Sequence, residues 1–67
     1  MTDKELIEIL LKRHSLADKS GVTYDPGKRT IFIEVLGEDG VFSLTRNELA
    51  DEIGDEQARK IINWINE

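Results

Sequence analysis

The apolar positions near the N-terminus recur three and four residues apart. This spacing would place one set of residues on a single helix face: Leu6, Ile7, Leu10, Leu11 and His14. Thr2 and Glu5 have the spacing of a capping box, in which each side chain binds the other residue's backbone N–H. We therefore predict a helix over residues 3–14, extending to residue 19 at most, with Gly21 as its stop signal.

The pattern changes to alternation in the middle of the chain, where β-branched and aromatic residues dominate. Residues 30–36 and 41–44 predict two antiparallel strands joined by a turn at 37–40. Residues 22–24 allow a third strand before the turn sequence Asp25-Pro26-Gly27. The middle of the chain is therefore predicted to form a sheet of two or three strands.

The register of the second hairpin has two solutions, with the loop centred on Glu38-Asp39 or on Asp39-Gly40. The two differ by an even shift, and side-chain direction alternates with a period of two. Both therefore place the same residues on one face, which we expect to be core: Ile31, Ile33, Val35, Phe42 and Leu44. The other face holds three apolar residues, Phe32, Leu36 and Val41.

Helical spacing returns after a second capping-box sequence, Thr45-Arg46-Asn47-Glu48. The apolar residues of this helix are Leu49, Ala50 and Ile53, and Gly54 stands where a glycine would end it. Asp55 is placed to cap a further helix with four apolar residues: Ala58, Ile61, Ile62 and Ile65. An isolated glycine costs a helix only about 1 kcal/mol relative to alanine. One kinked helix therefore also fits, although we favour two.

The element order predicts a single α+β domain over residues 1–67. An N-terminal helix, two or three antiparallel strands and two short C-terminal helices would pack as one layer of helices on one sheet face. A chain of this size buries only about 60% of its unfolded surface, so most apolar residues are needed inside. The predicted core is Leu6, Leu10, Ile31, Ile33, Val35, Phe42, Leu44, Leu49, Ile53, Ile61 and Ile65.

The chain is acidic, and the acidity belongs to its second part. The net charge is −5, from 14 acidic and 9 basic side chains. Residues 1–29 hold five acids and six bases, and residues 30–67 hold nine acids and three bases. This balance argues against direct nucleic-acid binding, which depends on Lys and Arg. With no cysteine and no signal-peptide or membrane-span pattern, we expect a cytoplasmic protein.

The residue types leave little for catalysis or metal binding. His14 is the only histidine, and no spacing gives it a nucleophile and an orienting carboxylate. Its position near a helix C-terminus favours a structural role. One histidine without cysteine makes no zinc site, and Glu34, Glu38 and Asp39 lack the alternating ligands of a calcium loop. We expect no enzyme activity, no cofactor and no metal.

The acidic residues form the candidate site. Glu48, Asp51, Glu52 and Asp55 are spaced to line one helix face, and four more could extend the negative surface: Glu34, Glu38, Asp39 and Glu56. One interpretation is a solubilising surface. The other is a carboxylate array that imitates phosphates and occupies a basic groove on a nucleic-acid-binding partner. In size, charge and element order the chain resembles small acidic phage-encoded inhibitors, including some anti-CRISPR proteins.

Residues 45–65 support an alternative function. Leu49-Ala50 and Ile53-Gly54 resemble the first helix and turn of a helix-turn-helix motif, which implies a nucleic-acid-binding regulator. The second helix would begin with Asp55-Glu56, where phosphates should approach, and its apolar positions fall about one residue late. The helix–strands–helix order also resembles the double-stranded-RNA-binding domain, but Arg46-Asn47-Glu48 stands where that family has its lysines.

A third interpretation rests on apolar residues. Trp64 flanks the Ile61 and Ile65 stripe, and half-burial against the core is the expected outcome. If Phe32 and Trp64 were exposed together, they would form an apolar interface, since tryptophan is a frequent interface anchor. The protein would then be an accessory subunit, or a homodimer that pairs through an apolar sheet face.

Overall fold

The computed structural model describes all 67 residues and confirms the predicted α+β architecture. Its six elements follow in the order α1 (Asp3–Ser15), β1 (Val22–Asp25), β2 (Thr30–Glu34), β3 (Val41–Thr45), α2 (Arg46–Ile53) and α3 (Asp55–Asn66). The strands form one antiparallel sheet in the order β1-β2-β3, so the third strand is present. The helices pack on one face of this sheet around a single apolar cluster.

The predicted capping box starts α1. Thr2 Oγ1 accepts a hydrogen bond from the Glu5 N–H at 3.2 Å, and Glu5 Oε1 accepts one from the Thr2 N–H at 3.1 Å. Two orphan donors of the first turn are thereby satisfied.

The end of α1 differs from the prediction. The helix stops after Ser15, and Ala17 adopts the left-handed conformation that usually belongs to glycine, with φ 55°. The Asp18 N–H then reaches the Arg13 carbonyl at 2.9 Å, as in a Schellman motif. The prediction that Gly21 stops the helix is therefore wrong.

Gly21 is instead required where the chain passes the end of β2. A Cβ atom at this position would lie 2.8 Å from Cβ of Glu34, closer than real Cβ contacts. The Glu34 N–H also donates to the Gly21 carbonyl at 2.8 Å, which continues the β1–β2 ladder beyond Val22. The glycine therefore permits a close strand approach.

The β2–β3 register differs from both predicted solutions. Ile33 pairs with Phe42 and Glu34 with Val41, so the loop centres on Gly37 and Glu38. Because β2 ends at Glu34, Val35 and Leu36 join the loop and lengthen it to six residues, 35–40. The shift from the predicted registers is even, so the faces stay as predicted: Ile31, Ile33 and Leu44 are fully buried.

Seven of the eleven predicted core residues are buried: Leu6, Leu10, Ile31, Ile33, Leu44, Leu49 and Ile61. The other four are half-buried at the margin of the cluster: Val35, Phe42, Ile53 and Ile65. The core also takes four residues that were not on the predicted list: Ile7, Val22, Ala58 and Ile62. Leu11, predicted on the buried stripe of α1, is 39% exposed because it falls at the edge of that stripe.

Gly54 divides the C-terminal segment into two helices, as favoured above. Its backbone takes φ 90° and ψ 153°, which no helix contains, and no atom lies within 4 Å of its Cβ position. Gly54 is also the N-cap residue of α3, and no side chain caps this helix. The prediction that Asp55 is the cap is therefore wrong, because Asp55 is already the first helical residue.

The three helices begin near one another. Asp3 at the start of α1 lies close enough to Glu48 in the first turn of α2 for Glu48 to raise the pKa of the Asp3 carboxyl, and Arg46 of α2 lies 3.5 Å from Asp55 of α3. The Arg46 N–H donates to the Arg29 carbonyl in the β1–β2 turn. The helix N-termini therefore meet at the end of the sheet opposite the β2–β3 hairpin.

The ends of α1 and α3 meet at the other end of the sheet. The rings of His14 and Trp64 pack edge to face with their centroids 4.9 Å apart. Lys19 Nζ lies 5.7 Å from the Trp64 ring and 3.9 Å from a Glu67 carboxylate oxygen. His14 therefore packs against Trp64 and joins the C-terminal ends of α1 and α3.

Candidate functional site

The eight predicted carboxylates fall into two groups that start from opposite ends of the sheet. The hairpin acids are Glu34, Glu38 and Asp39, and the helical acids are Glu48, Asp51, Glu52, Asp55 and Glu56. β2 spans five residues, which is about 13 Å of strand between the hairpin and the start of α2. The four-carboxylate helix face is also interrupted, because α2 ends at Ile53 and Asp55 belongs to α3.

Glu48 is engaged in starting α2. Its N–H donates to Thr45 Oγ1 at 3.1 Å, and the Thr45 hydroxyl donates to Glu48 Oε1 at 2.8 Å. Hydrogen bonds from Asp3 and Thr45 lower the pKa of Glu48, while the hydrogen bond with Glu48 raises the pKa of Asp3. Glu48 therefore stabilises the start of α2, which makes it a structural carboxylate.

Asp55 and Glu56 occupy the first turn of α3, where negative charge complements the helix dipole. Asp55 also pairs with Arg59 at 3.1 Å and with Arg46 at 3.5 Å. These contacts compensate for the absence of a side-chain cap on this helix. Asp55 therefore has local partners, whereas Glu56 is exposed and has no ion pair.

Asp51 and Glu52 have no such local role. Both are exposed in the second half of α2, and neither makes an ion pair or a side-chain hydrogen bond. The last turn of α2 contains no basic residue. Carboxylates near a helix C-terminus oppose its dipole by about 0.3–1 kcal/mol each. These two charges therefore lower the stability of the fold that presents them.

The hairpin acids border a shallow concavity of about 460 Å³. Glu34 and Glu38 contribute carboxylates to its lining, and Val35, Leu36 and Val41 contribute apolar surface. Leu36 is 97% exposed and Val41 is 55% exposed. Asp39 lies at the exposed hairpin tip, outside the lining.

Arg13 is the basic residue of this concavity, and sequence reasoning did not identify it. Its guanidinium donates to the carbonyls of Ser20 and Glu34, the latter at 3.3 Å, and lies 3.6 Å from Asp18. Arg13 therefore links α1 to the segment that precedes β1 and to the end of β2. No periodicity signals a contact between residues 21 positions apart.

Phe32 and Trp64 do not form one patch. Phe32 points to the sheet face that carries no helix, where its strand neighbours Thr23 and Ser43 are exposed. Trp64 lies on α3 and packs half-buried against His14. Because the sheet separates the two aromatic side chains and both are half-buried, the condition for a joint interface of Phe32 and Trp64 is not met. Val41 shares the open face with Phe32, and Leu36 lies in the loop.

The joint between α2 and α3 differs from a helix-turn-helix. One residue, Gly54, separates the helices, whereas the motif has a turn of three or four residues. Arg59, on the second helix, is engaged with Asp55. In the position where an RNA-binding domain has lysines, the single basic residue Arg46 also pairs with Asp55.

Comparison with known proteins gives no relative. No protein-family model matches the chain, and no curated protein or solved structure is significantly similar to it. None of the three helices has the length and apolarity to cross a membrane. No group of three or more His, Asp or Glu side chains is arranged to hold a metal ion.

Proposed function

We propose that this chain is a cytoplasmic, non-catalytic binding protein whose free carboxylates contact a basic surface on a partner protein. One observation carries the proposal: six of the eight candidate carboxylates are exposed and have neither an ion pair nor a side-chain hydrogen bond. These are Glu34, Glu38, Asp39, Asp51, Glu52 and Glu56. A fold that needed these charges only for its own stability would pair them or place them at helix N-termini, and of the six only Glu56 lies at a helix N-terminus.

The location of Asp51 and Glu52 supports a binding role most directly. Two adjacent carboxylates at the unfavourable end of α2 reduce stability, and they have no local partner. A basic partner surface would compensate for both costs. We therefore assign Asp51 and Glu52 as the centre of the binding surface and include Glu56, in the first turn of the next helix.

The concrete form of the proposal is inhibition by nucleic-acid mimicry. A basic groove that binds phosphates also attracts an array of carboxylates, and such attraction accelerates association at low salt. A partner of this kind is a nucleic-acid-binding protein, and a phage-type inhibitor of the anti-CRISPR kind is the functional class that this mechanism suggests.

The test compares neutralised variants in a capture experiment. The wild type, Asp51→Asn/Glu52→Gln and Glu8→Gln are immobilised and exposed to a lysate of the source cells. Glu8 is an exposed carboxylate without an ion pair on α1, so its variant controls for loss of negative charge away from the proposed surface. We expect the wild type and Glu8→Gln to retain nucleic-acid-binding proteins that duplex DNA or higher salt releases. We expect Asp51→Asn/Glu52→Gln to retain less.

Two results would contradict the proposal. One is capture that neither salt nor duplex DNA reduces, which would indicate a partner bound through apolar contacts. The other is a mobility shift of duplex or single-stranded nucleic acid by the isolated protein at low salt, which would favour a direct nucleic-acid-binding regulator.

A further inference from the structure

The β2–β3 hairpin presents an apolar side chain on a hydrogen-bonded turn. The Glu38 N–H donates to the Val35 carbonyl at 3.1 Å, which closes a four-residue turn over residues 35–38. Gly37 is the third residue of this turn and has φ 87°, as a type II turn requires. Leu36, the second residue, is 97% exposed. The turn therefore holds Leu36 in solvent at a defined position in the lining of the concavity.

Arg13 fixes another part of this lining and leaves no free positive charge there. Its guanidinium donates to the carbonyls of Ser20 and Glu34, and its side chain is only 19% exposed. Asp18, at 3.6 Å, compensates its charge. Because both terminal nitrogens of Arg13 already have partners, the concavity is not suited to an anion.

The charges that remain available in the lining are two carboxylates. Glu34 and Glu38 are exposed, and neither side chain makes an ion pair or a hydrogen bond. The Glu34 side chain lies against Gly21, since a Cβ atom at Gly21 would be 2.8 Å from Glu34 Cβ and 3.3 Å from Glu34 Oε2. The glycine therefore leaves room for this carboxylate inside the concavity.

A ligand that matches this lining combines positive charge with apolar surface. Val41 is 55% exposed and adds to the apolar surface of Leu36. A hydrated metal ion would leave both side chains uncovered. An arginine side chain has an apolar stem, and its guanidinium offers five donors in a planar arrangement that fits carboxylates. Arginine is also more weakly hydrated than lysine, so it loses less on leaving water.

We infer that the concavity receives an arginine side chain of a partner protein, with an apolar residue beside that arginine packed on Leu36 and Val41. The guanidinium would donate to the carboxylates of Glu34 and Glu38, which are its charge complement. The volume of about 460 Å³ lies within the range of ligand sites, about 300–1,000 Å³. The inference rests on the proposed function, because it specifies what a basic partner presents to the hairpin acids.

Amide NMR on the isotopically labelled full chain tests the inference, with the peptide acetyl-Gly-Leu-Arg-Leu-Gly-amide as the probe. We expect saturable shifts of backbone amide signals from the lining, those of Gly21, Gly37 and Val41 among them. The control peptide carries citrulline in place of arginine, which keeps the shape and removes the charge. It should bind about tenfold more weakly, because hydrogen bonds to a charged group are lost.

Three variants separate the concavity from the general negative charge of the protein. Glu34→Gln/Glu38→Gln should bind the arginine peptide about tenfold more weakly than the wild type. Asp51→Asn/Glu52→Gln removes the same charge from the other surface and should bind as the wild type does. Leu36→Ala should weaken binding several-fold through lost apolar contact. All of these side chains are exposed, and the amide spectrum of each variant verifies its fold.

Four results would overturn the inference: no saturable shifts, equal binding of the two peptides, unchanged binding by Leu36→Ala, or equal losses in the two double variants. Equal losses would mean that net charge alone attracts the peptide. Failure of the peptide to bind, with salt-sensitive capture of nucleic-acid-binding proteins retained, would overturn this inference alone. Specific peptide binding without salt-sensitive capture would support the concavity and overturn the binding surface centred on Asp51 and Glu52.

Discussion

Replacing Gly54 with alanine tests whether the break between α2 and α3 is imposed by the fold. The backbone at Gly54, with φ 90° and ψ 153°, lies in a region that is almost exclusive to glycine. A residue with a Cβ atom is strained there by about 1–3 kcal/mol. No atom lies within 4 Å of the added Cβ, so the full effect comes from the backbone. We therefore expect Gly54→Ala to lower the free energy of unfolding by about 1–3 kcal/mol.

A continuous helix over residues 46–66 would give the opposite sign. Inside a helix alanine is more favourable than glycine by about 1 kcal/mol, so the variant would gain stability if the two helices merged. The sign of the change in unfolding free energy therefore shows whether packing requires the break between α2 and α3 or whether glycine only permits it.

Urea unfolding followed by Trp64 fluorescence measures this change, and far-UV circular dichroism reports helix content. Gly37→Ala is the control, because Gly37 has φ 87° and equally open surroundings but lies in the hairpin loop, where no helix can merge. Both variants should be destabilised, with Tm lowered by about 4–8 °C for each kcal/mol lost. Increased stability together with increased helix content in Gly54→Ala alone would refute the two-helix account.

Three further changes follow from named contacts. Ala17→Gly should raise the free energy of unfolding by about 1 kcal/mol, because glycine adopts the left-handed conformation at φ 55° without strain; unchanged or lower stability in urea would count against the Schellman ending of α1. Ile33→Ala removes a fully buried side chain and should cost about 2–5 kcal/mol, whereas Leu36→Ala, at an exposed loop position, should stay within about 0.5 kcal/mol. Equal losses would contradict the observed register. The pKa of Asp3 is raised in the folded state. The Asp3 carboxyl therefore contributes fully to stability at low pH, and this contribution is lost as the pH rises through the folded-state pKa of Asp3. The free energy of unfolding of Asp3→Asn relative to wild type should therefore increase from acid to neutral pH, and a constant difference would exclude the contact with Glu48.

The order and the faces of the elements are local properties, and the sequence predicts them. Capping sequences at Thr2 and Thr45 mark two helix starts, and Gly54 marks the break between two helices. The alternation of side-chain direction predicts which strand residues face the core. It does not distinguish between registers that differ by an even number of residues, because these place the same residues on that face. The register of Phe42 against Ile33 depends on where β2 ends and on the loop, so it required the structure.

The sequence predicted which residues make up the candidate site, but it did not predict how they are arranged in space. The sequence identifies the carboxylates but not their partners. Glu48 interacts with Asp3 of α1, and Asp55 pairs with Arg46 of α2. The separation of the hairpin acids from the helical acids depends on which end of the sheet each loop occupies. Arg13 was missed for the same reason, since its partners lie on strands remote in sequence.

The measurement that tests the proposed function most directly is the salt dependence of the dissociation constant between this protein and a captured nucleic-acid-binding partner. The Debye length falls from about 30 Å at 0.01 M to about 10 Å at 0.1 M salt, so a complex held by carboxylates should weaken steeply over this range. Asp51→Asn/Glu52→Gln should bind more weakly and with a shallower salt dependence than Glu8→Gln. A dissociation constant that is independent of salt, with equal values for the two variants, would contradict the account.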